Sequence, residues 1–231
     1  MRASIVIPVL NEADIVAQCL SQLQHLRDQH IELIVVDGGS KDSTVLLANS
    51  MADKIITSAY GRAAQMNAGL EQTTGDYIFF LHADTQLPTN FIQCLELIEK
   101  NQFSWGFFQA RLDASNWYFR VIEYMMNLRS TLSSIGTGDQ VLFFRQSHLA
   151  KVNGYPLIPI MEDIALSKIA REKFGRAKVI THPVVTSARR WQQDGVIKTI
   201  MLMWRLRWSY FRGVSPEQLS TQYSYNNSSS R

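Results

Sequence analysis

The stretch Phe79-Phe80-Leu81-His82-Ala83-Asp84-Thr85 decides the fold. It continues an apolar run, Tyr77-Ile78-Phe79-Phe80-Leu81, that stops abruptly at a small acidic cluster and is followed by Pro88. A run apolar on both of its faces reads as a strand covered on both sides, the habit of parallel sheets packed between helices. Its C-terminal end delivers a carboxylate to the edge where open α/β sheets take their ligands. The same layout occurs twice upstream. Ser4-Ile5-Val6-Ile7-Pro8 breaks into Asn11-Glu12, and Leu33-Ile34-Val35-Val36 breaks into Asp37-Gly38-Gly39-Ser40. Three strands ending in polar loops predict one composite site and favour chemistry on nucleotides.

Working outward, the first hundred residues alternate strand and helix. Strands are predicted near 4–9, 31–37, 54–57 and 77–82, with helices near 12–26, 43–51, 62–70 and 89–99. Asp42-Ser43-Thr44 reads as a helix start and Gly75 as a helix stop. Repeated βα units imply right-handed crossovers and a mostly parallel central sheet flanked by helices. After Asn101 the alternation is lost. A strand over 103–112, a helix over 116–128, a short strand over 140–145 and a helix over 162–172 read as an elaboration of the same domain. The expectation is a single domain over 1–212: a nucleotide-binding half (1–100), an acceptor-facing catalytic half (101–195) and an amphipathic helix (196–212). A partly disordered tail (213–231) would follow, with disorder concentrated in the Ser/Asn-rich residues 222–231.

The chain has 231 residues, enough for one well-buried α/β domain, and its 46% hydrophobic and 19% charged residues are ordinary for a globular protein. Cys19 and Cys94 fall in helical segments and read as small buried hydrophobes in a reducing compartment. No run reaches the ~18 apolar residues of a membrane span. The N-terminus enters a strand at once, unlike a signal peptide, so a cytoplasmic location is expected. The net charge of +3 is unevenly spread: Lys168 to Arg212 holds eleven Lys/Arg against Glu172 and Asp194, leaving the rest net negative. Such a segment faces phosphates, an anionic membrane leaflet or simply water. Within it, Ile197, Ile200/Met201, Trp204, Trp208 and Phe211 form one helical stripe flanked by Lys198, Arg205, Arg207 and Arg212. A stripe of this kind either packs on the protein body or lies in a lipid interface.

Four constellations carry chemistry. Asp37 closes the second strand before glycines that let backbone N–H groups approach a ligand, although Asp-Gly-Gly is also an ordinary turn. No Gly-Lys-Ser/Thr and no G-x-G-x-x-G follows it, which removes P-loop and dinucleotide readings. Gly61-Arg62-Ala63-Ala64 opens a helix, and a helix N-terminus beside an arginine suits a diphosphate; the alternative for Arg62 is a surface ion pair. His82 and Asp84, spaced i, i+2 on an extended edge, would point the same way and hold Mn²⁺ or Mg²⁺ together with a diphosphate; His82 also reads as a structural histidine. Glu162-Asp163 places paired acids at a helix start, either as caps or as a base for a hydroxyl, since one of two adjacent carboxyls can be raised in pKa.

Together these residues resemble family 2 glycosyltransferases with the GT-A nucleotide-sugar-binding fold. The pieces occur in that family's order: Ser4–Pro8 with Asn11-Glu12, Val35–Ser40 with Asp42 and Thr44, Gly75-Asp76 leading into Leu81-His82-Ala83-Asp84, then Glu162-Asp163. A bacterial subgroup, the transferases associated with radical-SAM and selenodomain proteins, is the closer resemblance. It rests on Gly61-Arg62-Ala63-Ala64-Gln65-Met66-Asn67-Ala68-Gly69, Leu81–Thr85, Gly138-Asp139-Gln140, Met161-Glu162-Asp163 and Ala188-Arg189-Arg190-Trp191. The resemblance spans about residues 3–212. It implies a nucleoside pocket lined by Pro8, Asn11, Glu12 and Asp37, with Asp37 on the base and Arg62 near the phosphates. It further implies Asp84 on a divalent metal, Asp163 as general base, Asp139 and Trp191 shaping the donor and acceptor region, and inversion at the anomeric carbon. The family's metal motif usually opens with an acid where this chain has His82, which leaves His82 on the metal or on the sugar and predicts weaker metal affinity.

The expected reaction is transfer of a sugar from a nucleoside diphosphate donor, UDP-sugar first, to a hydroxyl, with a lipid-linked acceptor at the inner face of a membrane if residues 196–212 touch lipid. No nucleic-acid partner is expected. Two rivals remain. A nucleotidyltransferase would carry a Gly-rich basic loop after the first strand, where this chain has Pro8–Glu12. An inactive nucleotide-sugar-binding protein would have no need of Glu162 and Asp163.

Overall fold

The computed structural model describes residues 2–228. In chain order the elements are β1 (Ala3–Val9), α1 (Ala13–Arg27), β2 (Ile31–Asp37), α2 (Thr44–Ala48), β3 (Lys54–Thr57), α3 (Arg62–Glu71), β4 (Tyr77–Phe80), β5 (Thr85–Gln86) and α4 (Phe91–Lys100). There follow β6 (Trp105–Asp113), α5 (Trp117–Ser133), β7 (Leu142–Arg145), α6 (Gln146–Leu149), α7 (Glu162–Phe174), β8 (Lys178–Ser187), α8 (Arg189–Asp194), α9 (Val196–Phe211) and α10 (Pro216–Ser228). A 3₁₀ turn, Gly138–Gln140, precedes β7.

The eight strands form one sheet in the order β3-β2-β1-β4-β7-β6-β8-β5. β1 to β4 are mutually parallel, β7 and β5 run against their neighbours, and β6 pairs parallel with β8. The sheet is therefore mixed, with most strands in one direction, as the βα reading predicts. Successive side chains of each central strand point to opposite faces of the sheet, and both faces are buried. Ile5, Ile7, Leu33, Val35 and Phe79 face α1 and α4 through Leu20, Leu23, Phe91 and Ile98. Val6, Ile34, Val36, Ile78 and Phe80 face α3 and α7 through Ala63, Met66, Leu166 and Ala170. Two separate apolar layers thus cover both faces, which is why these strands read as unbroken hydrophobic runs.

Only residues 81–84 separate β4 from β5, yet three strands lie between them in the sheet. In a flat sheet they would stand about 19 Å apart. Residues 81–84 are far from extended, because the Thr85 N–H turns back to the His82 carbonyl at 3.0 Å. The sheet therefore curls, bringing its edge strand β5 back toward β4, and the turn His82–Asp84 bridges the two. This corrects the expectation that β4 continues to His82: it ends at Phe80.

The C-terminal region also departs from expectation. The segment read as a tail carries α10, whose Leu219 is fully buried against Leu206, Met161 and Ile164. Of residues 222–231, expected to be disordered, 222–228 continue that helix, and 229–231 lie outside the described residues. Among the described residues no helix is long and apolar enough to cross a membrane. Cys19 and Cys94 are both buried free thiols.

Candidate active site at the curled sheet edge

The loops after β1 and β2 are locked to each other by side chains. Asn11 adopts a left-handed backbone (φ +53°), which asparagine tolerates. Its N–H donates to Ser40 Oγ at 2.8 Å, and its Oδ1 accepts from the Lys41 N–H at 2.8 Å. The Glu12 N–H reaches Thr44 Oγ1 at 2.8 Å, and the Ala13 N–H reaches Asp42 Oδ2 at 3.1 Å. Asp37 is buried, and its carboxylate accepts the N–H groups of Gly39 and Ser40, all at 3.1 Å. The strand-end acid therefore builds the turn. Beneath it, the buried Gln65 amide donates to the carbonyls of Val9 (2.8 Å) and Val36 (2.9 Å), tying the ends of β1 and β2 to α3. Pro8 is buried within β1, in register with Val36.

Glu12 and Asp84 form the acidic side of the cleft. Burial pushes the Glu12 carboxyl up to about 7, helped by the charge of Asp84 and opposed by Arg62 and Arg189. Glu12 Oε2 is buried without a hydrogen-bond partner. Asp84 is exposed on the turn, and its carbonyl accepts the Ser187 N–H at 3.2 Å, fixing the turn to β8. His82 is oriented differently. Because residues 82–85 turn, the expected extended edge with His82 and Asp84 side by side does not form. The imidazole lies under the Gly138–Gln140 turn, where a β-carbon on Gly138 would collide with its Cε1 and Nε2. Its Nδ1 stands 3.8 Å from Asp139 Oδ1, and its Nε2 is buried and unpartnered. Burial, with Arg62 nearby, lowers His82 to about 3, so the ring is neutral.

The opposite wall is the start of α7. Met161 is held in the left-handed region (φ +68°), turning the chain so that both following acids enter the cleft. Glu162 is buried and raised to about 7, first by desolvation and then by the charge of Asp163; Arg62 reaches it at 3.4 Å and opposes the shift. Arg62, its side chain 56% exposed, spans from α3 to α7 and pairs with the buried Glu162. Asp163 Oδ2 accepts the Gly138 N–H at 2.9 Å and Oδ1 the Ile164 N–H at 2.7 Å. The turn carrying Asp139 is anchored by the fully buried Gln140, whose Oε1 accepts Ser130 Oγ at 2.7 Å. Asp139 itself is exposed.

The structure therefore brings Glu12, Arg62, His82, Asp84, Asp139, Glu162 and Asp163 to one edge. Trp191 instead packs with Phe119 and Ile122 in a cluster beside that edge. Three contributors escape a reading of the sequence. Arg129 on α5 is half-buried and faces the charges of Asp163 and Asp139. The buried Tyr155 ring packs edge-on against Phe80 at 4.9 Å, within the field of both α7 acids. Gln65 lies inside a recognised motif, but only the strand pairing shows that it bridges two carbonyls.

Among the described residues no three His, Cys, Asp or Glu side chains gather into a cation cage. The donor set still fits a hard cation shared with a diphosphate, because Asp84 is accessible and the orphaned Glu12 oxygen lies within its field. His82 fits less well, its Nε2 edge being covered by Gly138.

Glycosyl transferase family 2 matches residues 4–153. A bactoprenol glucosyl transferase of Shigella phage SfX is 31% identical over 112 residues, covering 44% of this chain; the match spans only 36% of that relative's length. The S. aureus TarS 1–349 structure superposes with a TM-score of 0.68 at 16% identity, over 81% of this chain and 61% of that one. TarS has also been crystallised with UDP-GlcNAc. The mannosyltransferase PcManGT of Pyrobaculum calidifontis, in complex with GDP-Man and Mn²⁺, gives a TM-score of 0.64 at 16% identity, over 97% of this chain and 69% of that one.

Proposed function

This chain belongs to glycosyl transferase family 2 and has the GT-A fold, and from that premise we propose that it transfers a sugar from a nucleoside diphosphate donor to an acceptor hydroxyl, with inversion at the anomeric carbon. The observation that carries this is the meeting of Arg62, Glu162, Asp163 and Asp139 opposite Glu12 and Asp84 at the C-terminal edge of the sheet.

Asp163 is the base in this reading. Two N–H groups fix its carboxylate, and a positioned carboxylate can take the acceptor proton as the hydroxyl attacks. Glu162, with its pKa near 7, sets the charge that Arg62 sees, leaving the guanidinium shared between the acid and the donor phosphates. Asp37, Asn11, Glu12 and Pro8 shape the nucleoside pocket through the interlocked loops, with Asp139 and Trp191 bordering the donor and acceptor region. A Mn²⁺ or Mg²⁺ on Asp84, with His82 beside it, would neutralise charge on the departing diphosphate.

A UDP-sugar is the proposed donor, supported by the TarS complex. The bactoprenol glucosyl transferase supports a lipid-linked acceptor, and with it cytoplasmic work at the inner membrane face, residues 196–212 touching lipid. A recess of about 660 Å³ at the ends of β6 and β8, lined by Leu112, Tyr118, Phe119, Val185 and Gln192, offers room for an acceptor. The kinship to the radical-SAM and selenodomain-associated subgroup belongs to the same proposal and rests on the motifs around Arg62, Asp139 and Trp191.

The test is a thermal-shift panel of nucleotide sugars with Mn²⁺, Mg²⁺ or EDTA, followed by product analysis. A metal-dependent rise in Tm with one donor, and release of its nucleoside diphosphate, are expected. Release of pyrophosphate instead would make it a nucleotidyltransferase, and donor binding with no turnover on any acceptor tried would favour an inactive binder.

A further inference from the structure

Eleven of the sixteen large hydrophobic side chains exposed among the described residues lie on two helices, α5 and α9. On α5 they are Trp117, Val121, Tyr124, Met125, Leu128 and Leu132; on α9 they are Ile197, Met201, Trp204, Trp208 and Phe211. At 100° per residue each set falls within an arc of about 100°, so each is a stripe and not a scatter. The opposite faces are buried. Phe119 and Ile122 of α5 share one apolar cluster with Val196 and Ile200 of α9, which makes the helices neighbours. Leu206 of α9 packs under Met161 and Ile164.

The charge around the stripes chooses the occupant. α9 contains no acid, and Lys198, Arg205 and Arg212 flank its stripe on one side and Arg207 on the other. The Arg212 guanidinium lies 5.9 Å from the Trp208 ring centroid. A second copy docking through this face would oppose cation to cation. An anionic bilayer accepts both features, aromatic side chains in the headgroup zone and cations toward phosphate.

We infer that α5 and α9 together form a two-helix platform that seats the protein on an anionic lipid surface. This deepens the lipid-acceptor reading above, on which it rests, by adding α5 to the contact. The same two helices back the proposed base, since Arg129 of α5 and Tyr210 of α9 lie within the field of Asp163. Seating them on lipid brings a headgroup-level hydroxyl toward the cleft.

Vesicle flotation tests it, with phosphatidylglycerol/phosphatidylcholine against phosphatidylcholine alone at low and high salt. Two triple variants at exposed positions serve: Trp117→Ser, Tyr124→Ser, Leu132→Ser on α5, and Trp204→Ser, Trp208→Ser, Phe211→Ser on α9. Salt-sensitive flotation with anionic vesicles is expected, reduced at least tenfold by either triple variant, while the thermal shift with donor is unchanged. An α5 variant that floats like the parent overturns the inference and leaves contact through α9 alone. No flotation by a parent that still binds donor overturns both lipid readings without touching sugar transfer. Dimerisation in solution, lost in the α5 variant and without flotation, overturns it in favour of a second copy.

Discussion

The two walls of the cleft are built in opposite ways. The wall formed by β1, β2 and their loops is held by short, repeated links between side chains and backbone: Asn11 to Ser40 and Lys41, Glu12 to Thr44, Asp37 to its own turn, Gln65 across two strand ends. The wall formed by the Gly138–Gln140 turn and α7 depends on backbone that side chains rarely adopt. Ser134, Val141 and Met161 are all left-handed, and a β-branched residue such as Val141 is seldom found there. Strain of order 1–3 kcal/mol per such residue persists only where surrounding contacts fix it. Under the proposed function the first wall is the binding surface and the second the reaction centre.

That contrast can be broken by mutation, and the largest effect belongs to the second wall. Asp163→Asn keeps an oxygen acceptor for only one of the two N–H groups, Gly138 or Ile164, while removing the proposed base; transfer should fall by roughly 10²–10⁴, and donor titration by calorimetry should match the parent. Comparable loss of donor affinity would move Asp163 to the binding side. Next comes the first wall. Gln65→Leu leaves two buried carbonyls without their amide donor and should cost about 1–3 kcal/mol in urea unfolding; an unchanged midpoint would show that the strand ends do not need the bridge. Gly138→Ala forces the His82 ring and the Asp139 turn apart. Overpacking of this kind costs about 1–3 kcal/mol, and the rate should suffer more than donor affinity because Asp163 loses its N–H partner with the turn.

The last effect is a pH dependence. Glu12 releases its proton near 4.5 in the unfolded chain and near 7 in the folded one. Between those values the folded state binds more protons, so the Glu12 contribution to stability falls as pH rises and stays low above 7. Glu12→Gln should therefore raise Tm by several degrees at pH 8 and leave it unchanged at pH 4 in differential scanning calorimetry. A Tm difference independent of pH would mean that Glu12 is not buried as a titrating acid.

The same contrast explains what could be read from the chain. β1, β2 and β4 announce themselves because two apolar layers make continuous hydrophobic runs, and the acids that end them follow directly. β8 stays hidden: Lys178–Ser187 contains His182 and Pro183, is half exposed, and pairs with β6 through an irregular register. The turn at His82–Asp84 has no glycine or proline inside it, so the extended edge is the natural reading and the wrong one. The acids Glu162 and Asp163 are legible as a pair; what they face is not. Arg129 precedes them by more than thirty residues, and only the curled sheet brings it near. The α9 stripe is plain in the sequence as a period, yet the period alone does not say which way it faces. In the structure it faces out.

The curl also imposes an order of events. Thr85 and Gln86 find their strand partners in Val185 and Thr186, a hundred residues later. On an emerging chain the first wall can close from neighbouring βα units, whereas the turn bearing Asp84 must wait for almost the whole domain. Contacts of such long sequence separation are slow to form. Refolding followed by two probes should show the core layers gained early and donor binding regained late. The corner that bears Asp84 would then be the last part of the molecule to acquire its shape, and the first to lose it when β8 lets go.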